Sequence, residues 1–314
     1  MRAVTISDQQ LNVIDRPTPT PGPGDVVIAV RSAGLNAADL LQRRGFYPAP
    51  AGWPQDIPGL ECAGVIEALG EGVTSLSLGQ RVAAIVGGGG QATHCVVPSE
   101  HLLFVPDSVS DTEAGGFAEA FTTAFDALVL NAKLQAGETV LISGAAGGVG
   151  AAAVQIARAI GARPIAVTRD DRHHESLRAL GAAESVTLDD VAGVGTVDVI
   201  LELVGAAHLS VAQNLLAPFG RVVVIGVGSG GRVEVDLLGL MSRRATLTGS
   251  TLRARSRAEK AAIAEAVNSQ LVPLWSDGTL RVVVNETFAL TDVESAYEYF
   301  GQPGKFGKIL LINE

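Results

Sequence analysis

The fold turns on the stretch Thr139-Val140-Leu141-Ile142-Ser143-Gly144-Ala145-Ala146-Gly147-Gly148-Val149-Gly150-Ala151-Ala152-Ala153-Val154-Gln155-Ile156-Ala157. A short apolar, partly β-branched run breaks into small residues and resumes with apolar side chains at Val149, Ala153, Ile156 and Ile160. The first part has the character of a buried strand, the second the 3.6-residue period of a helix. Small residues at a strand-to-helix turn let backbone approach backbone and leave N–H groups at the helix start for an anion. The spacing is a variant of the dinucleotide fingerprint, with Ala145 at the first position and Gly147 and Gly150 at the other two. Thr139 to Ala157 carries no charge, but a glycine cluster in the middle does not suit a lipid-facing helix.

Outward from this stretch, the pattern alternates. Residues 164–168, 185–188, 198–203, 221–226 and 246–252 read as further strands. A helix over 175–180 closes at Gly181, and another is expected over about 207–217. Six strands alternating with helices predict a doubly wound parallel sheet. Upstream, residues 1 to about 110 are mostly β, with strands expected at 26–30, 59–70, 79–86 and 94–97, which suggests a barrel-like fold. Residues 34–41 read as a short helix entered from a loop, and Ser110-x-x-Glu113 is a capping box opening a helical region that runs to about 130. Downstream, Ser256-x-x-Glu259 and Thr291-x-x-Glu294 are expected to cap two helices, with strands at 281–284 and 309–312. That tail is too small to fold alone and is expected to complete the N-terminal domain.

Of the 314 residues, 47% are apolar and 18% charged, which supports a substantial core and argues against disorder. The 23 basic and 33 acidic residues leave a net charge of −10, which disfavours nucleic acid or an anionic membrane as partner. The first residues lack a long apolar run, so no secretion signal is expected. Cys62 and Cys95 are too few for a disulfide framework, and two reduced thiols in a cytoplasmic protein are expected. The proline-rich segment 45–54 carries Phe46, Tyr47 and Trp53 outside any periodic element. These rings either face a substrate or plug the edge of a core.

Several motifs together carry a resemblance: Gly34-Leu35-Asn36-Ala37-Ala38-Asp39-Leu40, Gly59-Leu60-Glu61-x-x-Gly64-Val65-Ile66, Gly79-Gln80-Arg81-Val82, Ala118-Glu119-Ala120-Phe121-Thr122-Thr123-Ala124, the glycine turn 143–150, Gly220-Arg221-Val222-Val223, Gly249-Ser250-Thr251-Leu252 and Gly304-Lys305-Phe306-Gly307-Lys308. Over nearly its whole length the chain resembles zinc-independent members of the medium-chain dehydrogenase/reductase superfamily, in the quinone oxidoreductase (zeta-crystallin-like) branch. The resemblance implies an α/β protein. A mostly-β, GroES-like catalytic domain would comprise 1–116 and 253–314, and a Rossmann NADP-binding domain 117–252, with a nicotinamide in the cleft between them. Zinc-bearing relatives place a cysteine where this chain has Asn36 and a histidine where it has Leu60, and neither replacement can ligate Zn²⁺ as those do. The four-cysteine lobe is absent, and His94 and Cys95, adjacent on a strand, would point to opposite faces. No metal is expected.

Without a Lewis acid, hydride must go to an acceptor that is already electron-poor, a quinone or a conjugated carbonyl. Asn36, Tyr47 and Trp53 are expected to shape the substrate end, and no side chain is expected to act as an obligatory acid. The resemblance further implies cofactor contacts from Asn36, Tyr47, Lys308 and Thr123, from Ala146, Gly147, Gly148 and Val149, and from Val204, Ile225, Gly226, Thr251 and Leu252. An acidic residue normally holds the ribose diol of NAD at the end of the second strand. Here Thr168 stands there, followed by Arg169, and a hydroxyl with a guanidinium suits the 2′-phosphate of NADPH; Arg172 is counted with them. Asp170 and Asp171 oppose this, as do departures from relatives at His173 and Leu188, and Arg169 as a solvated surface residue is the competing reading. The expected function is NADPH-dependent quinone reduction, with 2-alkenal or enone reduction as the alternative. A non-catalytic NADPH-binding or RNA-binding protein is the reading of a different class. The resemblance also implies a homodimer joined through the sixth strands.

Overall fold

In the computed structural model, which describes residues 1–313, the chain divides into two units, 1–122 with 252–314 and 123–251. The first begins with a hairpin of β1 (Arg2–Ser7) and β2 (Gln10–Asp15), whose turn residues Asp8 and Gln9 both take positive φ, as a tight hairpin turn demands. There follow β3 (Asp25–Gly34), α1 (Ala37–Arg43), β4 (Glu61–Leu69), β5 (Arg81–Ile85), β6 (His94–Pro98), β7 (Leu102–Phe104), α2 (Asp111–Ala114) and α3 (Ala118–Phe125), which runs across the boundary. The second unit contains β8 (Thr139–Ile142), α4 (Gly148–Ile160), β9 (Arg163–Thr168), α5 (His174–Leu180), β10 (Glu184–Thr187), β11 (Val197–Glu202), α6 (Ala206–Ala212), β12 (Leu216–Val224), α7 (Leu237–Arg243) and β13 (Thr246–Gly249). The chain then returns to the first unit with α8 (Arg257–Gln270), α9 (Val272–Ser276), β14 (Val284–Ala289), α10 (Val293–Gly301) and β15 (Lys308–Ile312).

In the first unit the strands follow the order β14-β15-β3-β4-β5-β7, with β6 also paired to β3. Alternate residues Val26, Ile28 and Val30 of β3 meet Cys62, Ile66, Val82, Cys95 and Val97 in one core, the period-two pattern of strands with one buried face. A second cluster joins the two ends of the chain: Val4 and Leu35 pack with Val293, Ala296, Tyr297, Ile309 and Leu311. β15 lies antiparallel to β3 in the register Leu311↔Ala33.

The second unit is a six-stranded parallel sheet in the order β10-β9-β8-β11-β12-β13. Its order reverses between β8 and β11, and Val140, Leu141 and Ile142 at the centre are fully buried, as covered parallel strands require. Gly181 closes α5 in the left-handed region at φ 114°, as the sequence predicts.

Four local expectations need correction. The helix expected over 207–217 ends at Ala212, because Leu216 already pairs with Val197 in the sheet and strand pairing overrides the apolar period. Thr291 does not cap α10: it lies in a short turn, and Asp292 is the residue before the helix. The strand expected over 281–284 begins only at Val284, and the last strand of the parallel sheet stops at Gly249 rather than 252. Ser256 and Glu259 do form the expected reciprocal cap of α8, with Ser256 N–H donating to Glu259 at 2.9 Å.

Candidate functional site

In the second unit the site is made of backbone. Gly144 sits at φ 59°, a conformation costly for side-chain-bearing residues, and Gly147 precedes α4 with no side-chain cap. A Cβ on Gly150 would lie 2.5 Å from both Ala145 Cα and the Gly144 carbonyl oxygen, and one on Gly226 would lie 2.2 Å from the Leu203 carbonyl oxygen. These close approaches admit only glycine. The first helical N–H to find its carbonyl is that of Ala151, bonded to Gly147 at 2.8 Å. The N–H groups of Gly148, Val149 and Gly150 therefore stand ahead of the helix ladder, where an anion is stabilised by them and by the helix dipole. This turn follows the carboxyl end of β8 at the point where strand order reverses, the crevice where open α/β sheets take their ligands.

The neighbouring turn after β11 is held by a group that the sequence reading missed. Glu202 is buried, and one of its oxygens accepts from Ser143 Oγ at 2.8 Å and from the N–H groups of Val204 and Gly205, each at 2.7 Å. Its other oxygen meets His208 Nδ1 at 2.5 Å. Burial pushes this carboxyl up, but the bond and charge of His208, with the N–H of Gly205 and the Ser143 hydroxyl, hold it below the usual range. The turn so fixed brings Val204 against Gly144, whose Cβ, if present, would stand 3.3 Å from Val204 Cγ2. Ile225 and Gly226 join it by donating to the Glu202 carbonyl at 2.9 and 3.1 Å.

At the end of β9 the residues divide. The Thr168 hydroxyl is engaged inside its own turn, 2.8 Å from the Asp170 carbonyl oxygen and 2.9 Å from His174 Nε2. Arg172 is paired with Asp170 at 2.9 Å. Arg169 is exposed and, among the described residues, has no hydrogen-bond partner. Thr123, buried, and Thr251, exposed, also belong to this unit.

In the first unit the site is made of side chains. Lys308 Nζ is buried and donates to the Leu35 carbonyl (2.9 Å), Asn36 Oδ1 (2.7 Å) and Glu61 Oε1 (2.6 Å). Asn36 Nδ2 donates to the same Glu61 oxygen at 3.0 Å, and the N–H of Glu119 donates to the other at 2.8 Å. Asn36, at the start of α1, also donates its N–H to Asp39 Oδ2 at 2.8 Å. Burial is the main cause that pushes the Asp39 carboxyl up to about 7, against the Asn36 N–H and the charges of Lys308 and Arg253. At the second place where zinc-bearing relatives carry a ligand, Leu60 is buried. His94 pairs with Glu67 at 2.8 Å while its neighbour Cys95 faces the core. Among the described residues no group of three or more His, Cys, Asp or Glu is arranged to hold a metal ion.

Tyr47 and Trp53 are organised by two cations that the sequence reading did not single out. Arg253 is buried and donates to the carbonyls of Gly87 (2.9 Å) and Tyr47 (2.8 Å) and to Gln42 Oε1 (2.6 Å), with its guanidinium 4.8 Å from the Tyr47 ring centre. Trp53 lies against the backbone of Gly87, where a Cβ would be 2.5 Å from the ring, and Lys260 Nζ stands 5.4 Å from the ring centre. Leu252, next to Arg253, is buried in the same unit.

A doubly wound parallel sheet with a glycine turn at its switch point, in one chain with a mostly-β unit, defines a class of nucleotide-binding proteins. The sequence matches the family described as zinc-binding dehydrogenase over residues 148–268 and the alcohol dehydrogenase GroES-like domain over 22–133. It is 31% identical to a quinone oxidoreductase of Lama guanicoe, covering 99% of this chain and 97% of that one. It is also 28% identical to the human synaptic vesicle membrane protein VAT-1 homolog, over 94% of this chain and 80% of that one. The solved quinone oxidoreductase of Thermus thermophilus, described with its NADPH complex, is 33% identical, with a TM-score of 0.87 and full coverage of both chains. The protein belongs to the medium-chain dehydrogenase/reductase superfamily, with the quinone oxidoreductases, and is an oxidoreductase. Among the described residues no helix is long and apolar enough to cross a membrane.

Proposed function

We propose that the protein is an NADPH-dependent quinone oxidoreductase that works without zinc. The observation that carries this reading is the closed cluster of Asn36, Glu61 and Lys308, in which an amide, a carboxylate and an ammonium satisfy one another where relatives place a metal ligand. A substrate met there has to be reactive without a Lewis acid, as a quinone is. A bound nicotinamide supplies the hydride. The N–H groups of Gly148, Val149 and Gly150 would hold its pyrophosphate, and Arg169 would hold the 2′-phosphate. Ala146, Gly147, Val204, Ile225, Gly226, Thr123, Thr251 and Leu252 would line its path. Asn36, Tyr47 and Lys308 would orient the nicotinamide half, and Tyr47 and Trp53 the acceptor. Lys308 and Glu61 neutralise each other, so the site can exclude water without stranding a charge.

One observation favours the alternative, reduction of a conjugated enal or enone. That reaction needs a proton delivered to carbon, and Asp39 is a buried carboxyl with a pKa of about 7, bonded to Asn36. The two readings separate on turnover of a benzoquinone and a 2-alkenal with NADPH. Tyr47→Phe is expected to reduce quinone turnover only slightly, because a phenol is a poor acid near neutrality and the hydroquinone anion needs little help. If the alkenal is the faster substrate and its rate, but not that of the benzoquinone, collapses in Asp39→Asn, the quinone reading is wrong.

We also propose a homodimer. β13 is an exposed edge strand, and beside it in sequence Leu237, Leu238 and Met241 of α7 are largely exposed. An open edge of this kind is normally covered, and a second copy adding its own β13 would cover it. Light scattering of the purified protein at twice the chain mass is the expected result.

A further inference from the structure

The first unit holds a pocket of about 320 Å³, counting its open mouth, with apolar walls from Ile85, Leu103 and Ile263 and polar groups from His101, Thr122 and Lys260. Lys260 is 8% exposed, and none of the described residues accepts a hydrogen bond from its ammonium, which stands over the Trp53 ring. Burial pulls its pKa down, with the charge of Arg253 acting in the same direction and that of Glu119 against it. Arg253, 5% exposed, gives its hydrogen bonds to two backbone carbonyls and an amide oxygen, all uncharged. Lys260 is thus a largely buried cation on the wall of this pocket with no bonded carboxylate, and an anion entering the pocket would pair with it.

The other polar groups agree. Thr122 Oγ1 is buried with no partner and can donate. His101 Nε2 lies 2.9 Å from the Arg257 carbonyl oxygen, so it carries the ring proton. Burial pulls the His101 pKa down, which disfavours a charge on the ring. Water could satisfy Thr122 and His101, but water does not neutralise Lys260.

We propose that this pocket binds an organic anion with an apolar, aromatic body, its acidic group paired with Lys260 and hydrogen-bonded by Thr122, its ring beside Trp53. Resting on the quinone reductase reading, the favoured acceptor carries an acidic substituent, and Lys260 is the residue that selects it.

The direct test is calorimetric binding, without cofactor, of 2-naphthalenesulfonate and its neutral analogue 2-naphthalenesulfonamide to wild type, Lys260→Met and Lys260→Arg. A charge-assisted hydrogen bond predicts that wild type prefers the sulfonate by at least about tenfold. Lys260→Met should abolish the preference, and Lys260→Arg should keep most of it. In turnover, the ratio of kcat/KM for 1,4-naphthoquinone-2-sulfonate over 1,4-naphthoquinone should fall in Lys260→Met, through KM rather than kcat. Equal binding of both ligands to wild type, or a preference that survives in Lys260→Met, overturns the proposal. So does a loss of NADPH affinity in Lys260→Met as large as the loss for the sulfonate, since the cation would then serve the cofactor. Selective binding by wild type with no quinone turnover would support the pocket and sink the quinone reductase reading alone.

Discussion

The glycine turn at 144–150 and the cluster around Lys308 solve the same problem, fixing polar groups in one arrangement, by opposite means. The turn uses consecutive backbone N–H groups and the absence of side chains, so all of it lies within a few residues. The cluster uses three side chains separated by 25, 247 and 272 positions in the sequence. A site made of backbone survives most changes to side chains but no added Cβ at Gly150. A site made of side chains fails as soon as one partner is removed.

The largest effect should come from breaking the cluster. Lys308→Met leaves the buried Glu61 carboxylate without its cation, and such a loss costs about 3–5 kcal/mol. Urea unfolding of the variant should show it. Adding Glu61→Gln should recover part of the loss, because the stranded charge is then gone. Full stability in Lys308→Met alone would mean that the pair does not bear on the fold.

Asp39 sharpens the same contrast through pH. Its folded carboxyl titrates near 7 and its unfolded one near the ordinary value of 3.8. Between these pH values the folded state keeps a proton that the unfolded state has released, so this group makes stability fall as pH rises, by at most about 1.4 kcal/mol per pH unit. Asp39→Asn should therefore match wild type near pH 4 and gain on it steadily toward pH 7.5 in urea unfolding. Parallel stability profiles would show that Asp39 ionises normally.

The backbone site should respond at its edge and more gently. Arg169→Ala should weaken NADPH binding by about 1.5–3 kcal/mol, roughly 10- to 150-fold, and leave NADH nearly unchanged. Equal losses for both cofactors would assign Arg169 another task.

The same contrast explains what the sequence revealed. The parallel sheet and its turn were legible because their signals are local: β-branched runs, a helix period beginning at Val149, and glycines at fixed offsets. Asn36 and Lys308 entered only through resemblance, and Glu61 and Asp39 were never singled out. No local pattern marks a glutamate whose cation stands 247 residues away. Arg253 and Lys260 were missed because each looks like an ordinary surface cation until tertiary packing buries it. Glu202 had a faint signal, an acid at a strand end three residues before Gly205, which binds its own turn. The boundary at Ala212 failed because the apolar period runs on into Leu215 and Leu216, and only pairing with β11 stops the helix.

The order of synthesis gives the β3–β15 pairing a consequence in time. Residues 123–251 form one uninterrupted segment and can fold as soon as they leave the ribosome. The unit that encloses them in sequence cannot, because its sheet waits for β15 and Glu61 waits for Lys308. Until then the earlier strands lack the strand that completes their sheet, and Glu61 lacks the cation that balances it. The lysine that organises the site is thus also the latch whose arrival ends that wait.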